Sequence, residues 1–361
     1  MAQIIKHGVI SRRQENQRNY NAWPSIITLP DGKLLCGWSG DREKHVCPFG
    51  KVLTSVSSDG GYTWSEPTVS LNTPLDDRDC GLLYNDGAIY LTSFNNSKVI
   101  QEEWQATHNY SQEEIARYNE YLDTVSDETE KKWLGSLVAV SFDNGRSFGT
   151  PFLTPVSSPH GPCVLPDGSV LYIGRTFTDP KEASFPYLPE GIWAVKITPD
   201  GQVSQPWQVV APHPDKTILY CEPHAVATKD GRILLGIRTQ NYDSGLFTVH
   251  DCFSFDGGKT FSPPRPLDID GAPPHYLVTK EGEIVLTYGR RKAPFGQYAR
   301  VSYDNGETWS EEIVLRADAP NDDLGYPCST QNENGDIVTV YYQKTDLSQT
   351  GNFIRYTIWR I

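Results

Sequence analysis

The chain has 361 residues, with 45 acidic against 32 basic side chains and a formal net charge of −13. That surplus disfavours nucleic acid or an anionic membrane as the main partner, because both carry the same sign. Length alone leaves one large β-rich domain or two ordinary ones.

The N-terminal "MAQIIKHGVISRRQ" lacks the basic start, long apolar segment and small-residue cleavage site of a secretory signal. No apolar run approaches the length of a membrane span. The seven cysteines are an odd number with no CxxC pair, so reduced, buried thiols in a cytoplasmic protein are the expectation.

In chain order, "IIKHGVI" from Ile4 is strand-like, and then one pattern recurs six times. A short apolar run, a turn on Asp-Gly, Glu-Gly or Asn-Gly, and a second apolar run appear as "WPSIITLPDGKLLCGW" from Trp23 and "CGLLYNDGAIYLTSF" from Cys80. They recur as "HGPCVLPDGSVLYIGR" from His160 and "PHAVATKDGRILLGIR" from Pro223. The last two copies are "PHYLVTKEGEIVLTYGR" from Pro274 and "YPCSTQNENGDIVTVYY" from Tyr326. Each is a β-hairpin signal, because glycine takes the positive φ that tight hairpin turns require.

A second motif follows four of these hairpins: "SSDGGYTW" from Ser57, "SFDNGRSF" from Ser141, "SFDGGKTF" from Ser254 and "SYDNGETW" from Ser302. The Asp side chain accepts backbone N–H groups, glycine relieves the turn, and the aromatic packs beneath it. Between the second hairpin and Ser141, residues 101–133 read as helical. Ser111 and Glu114 have capping-box spacing, and Ile115, Tyr118, Leu122 and Val125 share a face. That segment is a surface insertion docked on the second repeat, or a lid or dimer contact beside the mouth of a central channel.

Six repeats of four strands predict an all-β protein, a six-bladed β-propeller. Residues 1–361 would form one domain with a short helical insertion in blade two. The strand-like ends "IIKHGVI" and "FIRYTIWRI" are expected to pair in the last blade and remove its open edge.

Residues equidistant from a hairpin turn are neighbours. With the turn at Asp230, Glu222 and Arg238 fall at one end of blade four. The same count puts His160 beside Arg175 in blade three and His275 near Arg290 in blade five. With His224, these side chains predict a cationic basin at one rim of an acidic protein, suited to an anionic ligand. His160, His224 and His275 could also converge on a metal ion, but hydrogen bonding around a polar ligand is the preferred reading, and no cofactor is expected.

The four Ser-x-Asp-x-Gly motifs resemble the Asp-box repeats of the sialidase superfamily, and the resemblance spans nearly the full chain. It implies a Tyr nucleophile activated by a Glu, with an arginine triad for the substrate carboxylate and an Asp acid/base. Glu222 and Arg238 match the Glu and second Arg, Arg300 in "YARVSYDNG" the third Arg, and Tyr326 in "DLGYPCSTQNENG" the Tyr. The first Arg position reads Ala22-Trp23-Pro24, and the acid/base segment reads "HVCPFGKV", with Pro48 where the Asp would stand.

The resemblance therefore implies a divergent carbohydrate-active enzyme, an exo-acting glycoside hydrolase on an acidic oligosaccharide or glycoside. Tyr326, Glu222 and His45 are the candidate catalytic residues. Arg238, Arg300, Arg175, Arg290, His160, His224 and His275 are candidate binding residues, and so are Arg78 and Asp79 from "DDRDC". A lyase acting beside a uronic acid and a non-catalytic sugar-binding propeller remain open alternatives.

Overall fold

At the hairpin turn of blade four, Gly231 has φ +87°, a conformation that a side chain would strain, and the pairing Ala227↔Ile233 closes around it. The same local solution recurs around the molecule. In the computed structural model, which describes residues 2–11, 18–176, 188–349 and 351–361, the strands form six four-stranded antiparallel sheets. These are the six blades of a β-propeller.

The innermost strands are Tyr20–Thr28, Asp76–Asn85, Cys163–Val164, Leu219–Ala227, His275–Val278 and Gly325–Gln331. Gln3–Val9 pairs antiparallel with Phe353–Arg360, so the N-terminal strand is the outer strand of blade six. That pairing is the expected one. It also joins the two ends of the chain, which shields an otherwise open edge.

The core lies between neighbouring blades. Trp23, Trp38, Cys328, Val338 and Tyr342 interleave blades one and six, all buried. Full burial of such side chains contributes about 1.5–3 kcal/mol each. All seven cysteines are buried and unpaired.

The four Ser-x-Asp-x-Gly segments form one repeated turn. In the first, Thr63 donates to Asp59 through its backbone N–H at 2.9 Å and its hydroxyl at 2.6 Å, while Ser57 accepts from Gly61 N–H at 2.9 Å. In the second and third, such donors hold the carboxyl groups of Asp143 and Asp256 down at about 2.

The helical insertion begins at Lys98, slightly earlier than the sequence suggested, and contains three helices: α1 (Lys98–Thr107), α2 (Gln112–Leu122) and α3 (Asp127–Trp133). Ser111 and Glu114 form a reciprocal capping box at the start of α2. Tyr118, Leu122 and Val125 are buried as the periodicity predicts, with Ile115 only half-buried.

Candidate active site

The pairing of the first two strands breaks at one equivalent place in four blades. Register skips between Ala22 and Ser25, between Arg78 and Gly81, between Cys221 and His224, and between Gly325 and Cys328. Within each skip one non-glycine residue has positive φ: Trp23 (55°), Asp79 (51°), Glu222 (46°) and Tyr326 (51°). A bulge re-aims the side chain it carries. Left-handed backbone at a residue other than glycine costs on the order of 1–3 kcal/mol, and such strain concentrates at functional sites. Four strained bulges at equivalent places in four blades make this rim the candidate site.

Two of these bulges meet directly. The Tyr326 hydroxyl donates to Glu222 Oε1 at 2.6 Å, and Arg238 Nη1 donates to Glu222 Oε2 at 2.6 Å and to the Tyr326 oxygen at 3.2 Å. Gln240 Oε1 accepts from Arg238 Nε at 2.8 Å and also from Nη2, fixing the guanidinium plane. Gln240 in turn donates from Nε2 to the Tyr242 hydroxyl at 2.7 Å. Burial and the adjacent Glu222 carboxylate push the Tyr326 phenol well above its ordinary range, against the opposing pull of Arg238 and Arg291. The resting phenol is therefore neutral, with a base already hydrogen-bonded to it.

Arg291 closes the cluster from blade five. Its guanidinium stands 5.7 Å from the Tyr326 ring centre and 5.3 Å from that of Phe247, and Nε donates to Leu324 O at 3.3 Å. Its Nη atoms have no hydrogen-bond acceptor among the described residues.

Asp79 and Arg78 come from the bulge of blade two. Burial raises the Asp79 carboxyl to about 7, with Arg78 pulling it down and Glu222 pushing it up. Arg78 lies 4.1 Å over the Trp23 ring, so a guanidinium stacks on the residue that fills the first-blade position.

Arg78 also donates from Nη2 to His45 Nε2 at 3.2 Å. Because arginine only donates, His45 carries its proton on Nδ1, giving it to the Tyr20 hydroxyl at 3.0 Å, which donates to Asp323 at 2.9 Å. Burial, then Arg78 and Arg42, hold His45 well below its usual range, so it is neutral. Trp104 of α1 stacks on His45 at 5.2 Å. Tyr110 and Glu114 hold the same loop through Val46 and Lys44. The insertion thus braces one wall of the site.

The expected partners are not all assembled here. Arg175 bridges to Ser157, not to His160. His275 pairs with Thr287, and Arg290 instead contacts Glu312 at 2.5 Å and the Tyr298 ring at 4.0 Å. The symmetric count fails in both blades, because His160 precedes the first strand of blade three and the blade-five turn lies nearer to His275 than the count assumed. Arg300 is in the third strand of blade five, pairs across to Leu286, and donates to Asp268 O at 2.8 Å. Neither Arg290 nor Arg300 has a hydrogen bond or ion pair to Glu222, Arg238 or Tyr326 among those described, whereas Arg175 stands close enough to act on the Cys221 thiol beside Glu222.

His160, His224 and His275 do converge, with ring centres 4.3–5.7 Å apart, but they lie buried deeper along the channel. His160 is the one nearest the site, 6.3 Å from the Tyr326 ring. Among the described residues, no group of three or more His, Cys, Asp or Glu side chains is placed to hold a metal ion.

Arg291 and Gln240 were missed by sequence reasoning. Both lie just beyond an identified arginine, Arg290 and Arg238, at the ends of second strands. A repeated signal was also available: Trp23, Glu222 and Tyr326 each precede a proline, and proline, lacking an N–H, suits a bulge.

A model of the BNR repeat-like domain matches residues 128–339. A protein of unknown function from Dyadobacter fermentans is 21% identical, and the alignment covers 100% of this chain and 99% of that one with a TM-score of 0.75. The NanB sialidase of Streptococcus pneumoniae is 15% identical over 98% of this chain and 70% of its own, with a TM-score of 0.67. The α-L-arabinanase of Penicillium chrysogenum is 13% identical over 99% and 98%, with a TM-score of 0.64. At these identities the likeness is one of fold. No curated protein matches the chain.

Proposed function

The chain belongs to the BNR repeat-like family, and from that premise we propose that it is a glycoside hydrolase acting on a carboxylate-bearing sugar, with Tyr326 as nucleophile. The observation that carries this reading is the Tyr326–Glu222–Arg238 hydrogen-bonded cluster with a further guanidinium, Arg291, beside it. The sialidase and the arabinanase among the structural neighbours support a carbohydrate ligand.

Tyr326 Oη attacks the anomeric carbon while its proton passes to Glu222 Oε1. Arg238 Nη1, already on the phenol oxygen, stabilises the negative charge as it develops. A phenol is the suitable nucleophile here, because a carboxylate would be repelled by the substrate's own carboxylate. Asp79, a carboxyl poised at about 7, protonates the departing glycosidic oxygen. It then takes a proton from the water that attacks the same carbon, whereupon Tyr326 leaves and recovers its proton from Glu222. Arg291, with Arg78 nearby, binds the sugar carboxylate by charge-assisted hydrogen bonds. His45 orients Arg78 rather than carrying a proton.

The test is a turnover screen on aryl sialosides and aryl uronides, repeated with Tyr326→Phe and Glu222→Gln. Release of the aryl alcohol from an acidic glycoside, lost in both variants, supports the reading. Turnover of neutral glycosides alone, or an unsaturated uronide as the sugar product, contradicts it.

A further inference from the structure

The first strands continue beyond Glu222 and Tyr326 towards the hairpin turns, and there the channel widens into a cavity of about 450 Å³. This lies within the range of small-molecule sites. Its wall includes Ile26, Leu82, Val164, Val226 and Leu277, and no Lys, Arg, Asp or Glu is among the described lining residues. His160, His224 and His275, which also line it, separate this cavity from the Tyr326 site.

The hydrogen bonds of these rings define what they offer. The backbone N–H of Tyr276 donates to His224 Nδ1 at 3.0 Å, and that of Ser329 donates to His275 Nδ1 at 3.3 Å. A neutral imidazole whose Nδ1 accepts carries its proton on Nε2. Both rings are therefore N–H donors at Nε2, a state unsuited to ligating a metal through that atom. His160 is 2% exposed, and neither of its ring nitrogens has a partner among the described residues. A buried polar ring with two unmet hydrogen bonds calls for an occupant.

We propose that this cavity is a second ligand site, for a small neutral molecule carrying a hydroxyl on an apolar body. The hydroxyl oxygen accepts from Nε2–H of His224 or His275, and its proton is donated to the bare nitrogen of His160. The aliphatic wall covers the rest. A charged ligand is disfavoured because the wall offers it no counter-charge. This site is separate from the proposed catalytic one and does not depend on it.

The probe is benzyl alcohol, with benzoate, benzylammonium and toluene as comparisons. Titration of the full chain is followed by the histidine ring ¹⁵N resonances. The expected result is a saturable shift of these resonances with benzyl alcohol, and binding weaker by roughly ten-fold or more for the three comparison molecules. Val226→Trp, which fills the cavity from its wall, abolishes the shift, and Tyr326→Phe leaves it unchanged. His160→Ala weakens binding, and if that variant does not fold, Val226→Trp carries the test. The proposal is overturned by no saturable shift, which would mean the cavity holds water only, by equal binding of benzoate, or by retained binding in Val226→Trp.

Discussion

Tyr326 donates its phenolic proton to Glu222 across 2.6 Å, from a bulge in blade six to a bulge in blade four. Each side chain projects from a register shift with positive φ, and such a bulge re-aims the residue it carries. The proposed proton transfer is thus prepared by the backbone before any substrate arrives.

Glu222→Gln keeps the shape of the cluster but removes the base. The expected outcome is a fall in kcat of about 10²–10⁴ with KM little changed. Steady-state kinetics on the best acidic glycoside checks it. A change confined to KM would mean that Glu222 only binds.

The Arg238–Gln240 contact sets the charge of the site. A neutral amide holds the guanidinium plane without cancelling its charge. Gln240→Glu supplies a second carboxylate to Arg238, so KM for an anionic substrate is expected to rise about ten-fold or more, equivalent to about 1.4 kcal/mol. Neutral glycosides should be unaffected. Gln240→Leu strands the buried Arg238 donors instead, and a loss of about 1–3 kcal/mol of stability is expected by urea unfolding.

The pH profile tests Asp79. As general acid it must be protonated, so kcat/KM is expected to decline as pH rises through about 7, the value to which burial raises its carboxyl. Asp79→Asn should abolish that limb and rescue only substrates whose leaving group needs no proton. An alkaline limb that persists in Asp79→Asn assigns the acid to another group.

Stability should depend on pH through the channel histidines. Burial lowers His160 to about 3, so between that value and the ordinary 6.5 the unfolded chain binds the extra proton. Stability from this residue is therefore present above about 6.5 and lost as pH falls, by up to about 1.4 kcal/mol per pH unit. Asp77 and Asp79, raised to about 7, work in the opposite sense. The informative quantity is thus the difference between wild type and His160→Asn, measured by urea unfolding from pH 7 to pH 4.5. It should shrink as pH falls, and a constant difference excludes a neutral buried His160.

The six-hairpin repeat was legible because turn glycines and apolar alternation are local signals. Glu222 and Arg238 were legible because one short turn of fixed length joins their strands. Arg291 was not: it lies beyond Ile284–Arg290, where the chain turns over the rim, and no repeat length fixes such a turn. Arg300 has convincing spacing before its Asp turn, yet it falls in the third strand, away from the axis. The elevated Asp79 carboxyl arises chiefly from burial, which no spacing encodes.

The most direct measurement is mass spectrometry of protein quenched during turnover of its best acidic glycoside. A glycosyl mass is expected on the peptide containing Tyr326, absent in Tyr326→Phe. Turnover with the label on another residue, or full activity in Tyr326→Phe, would contradict it.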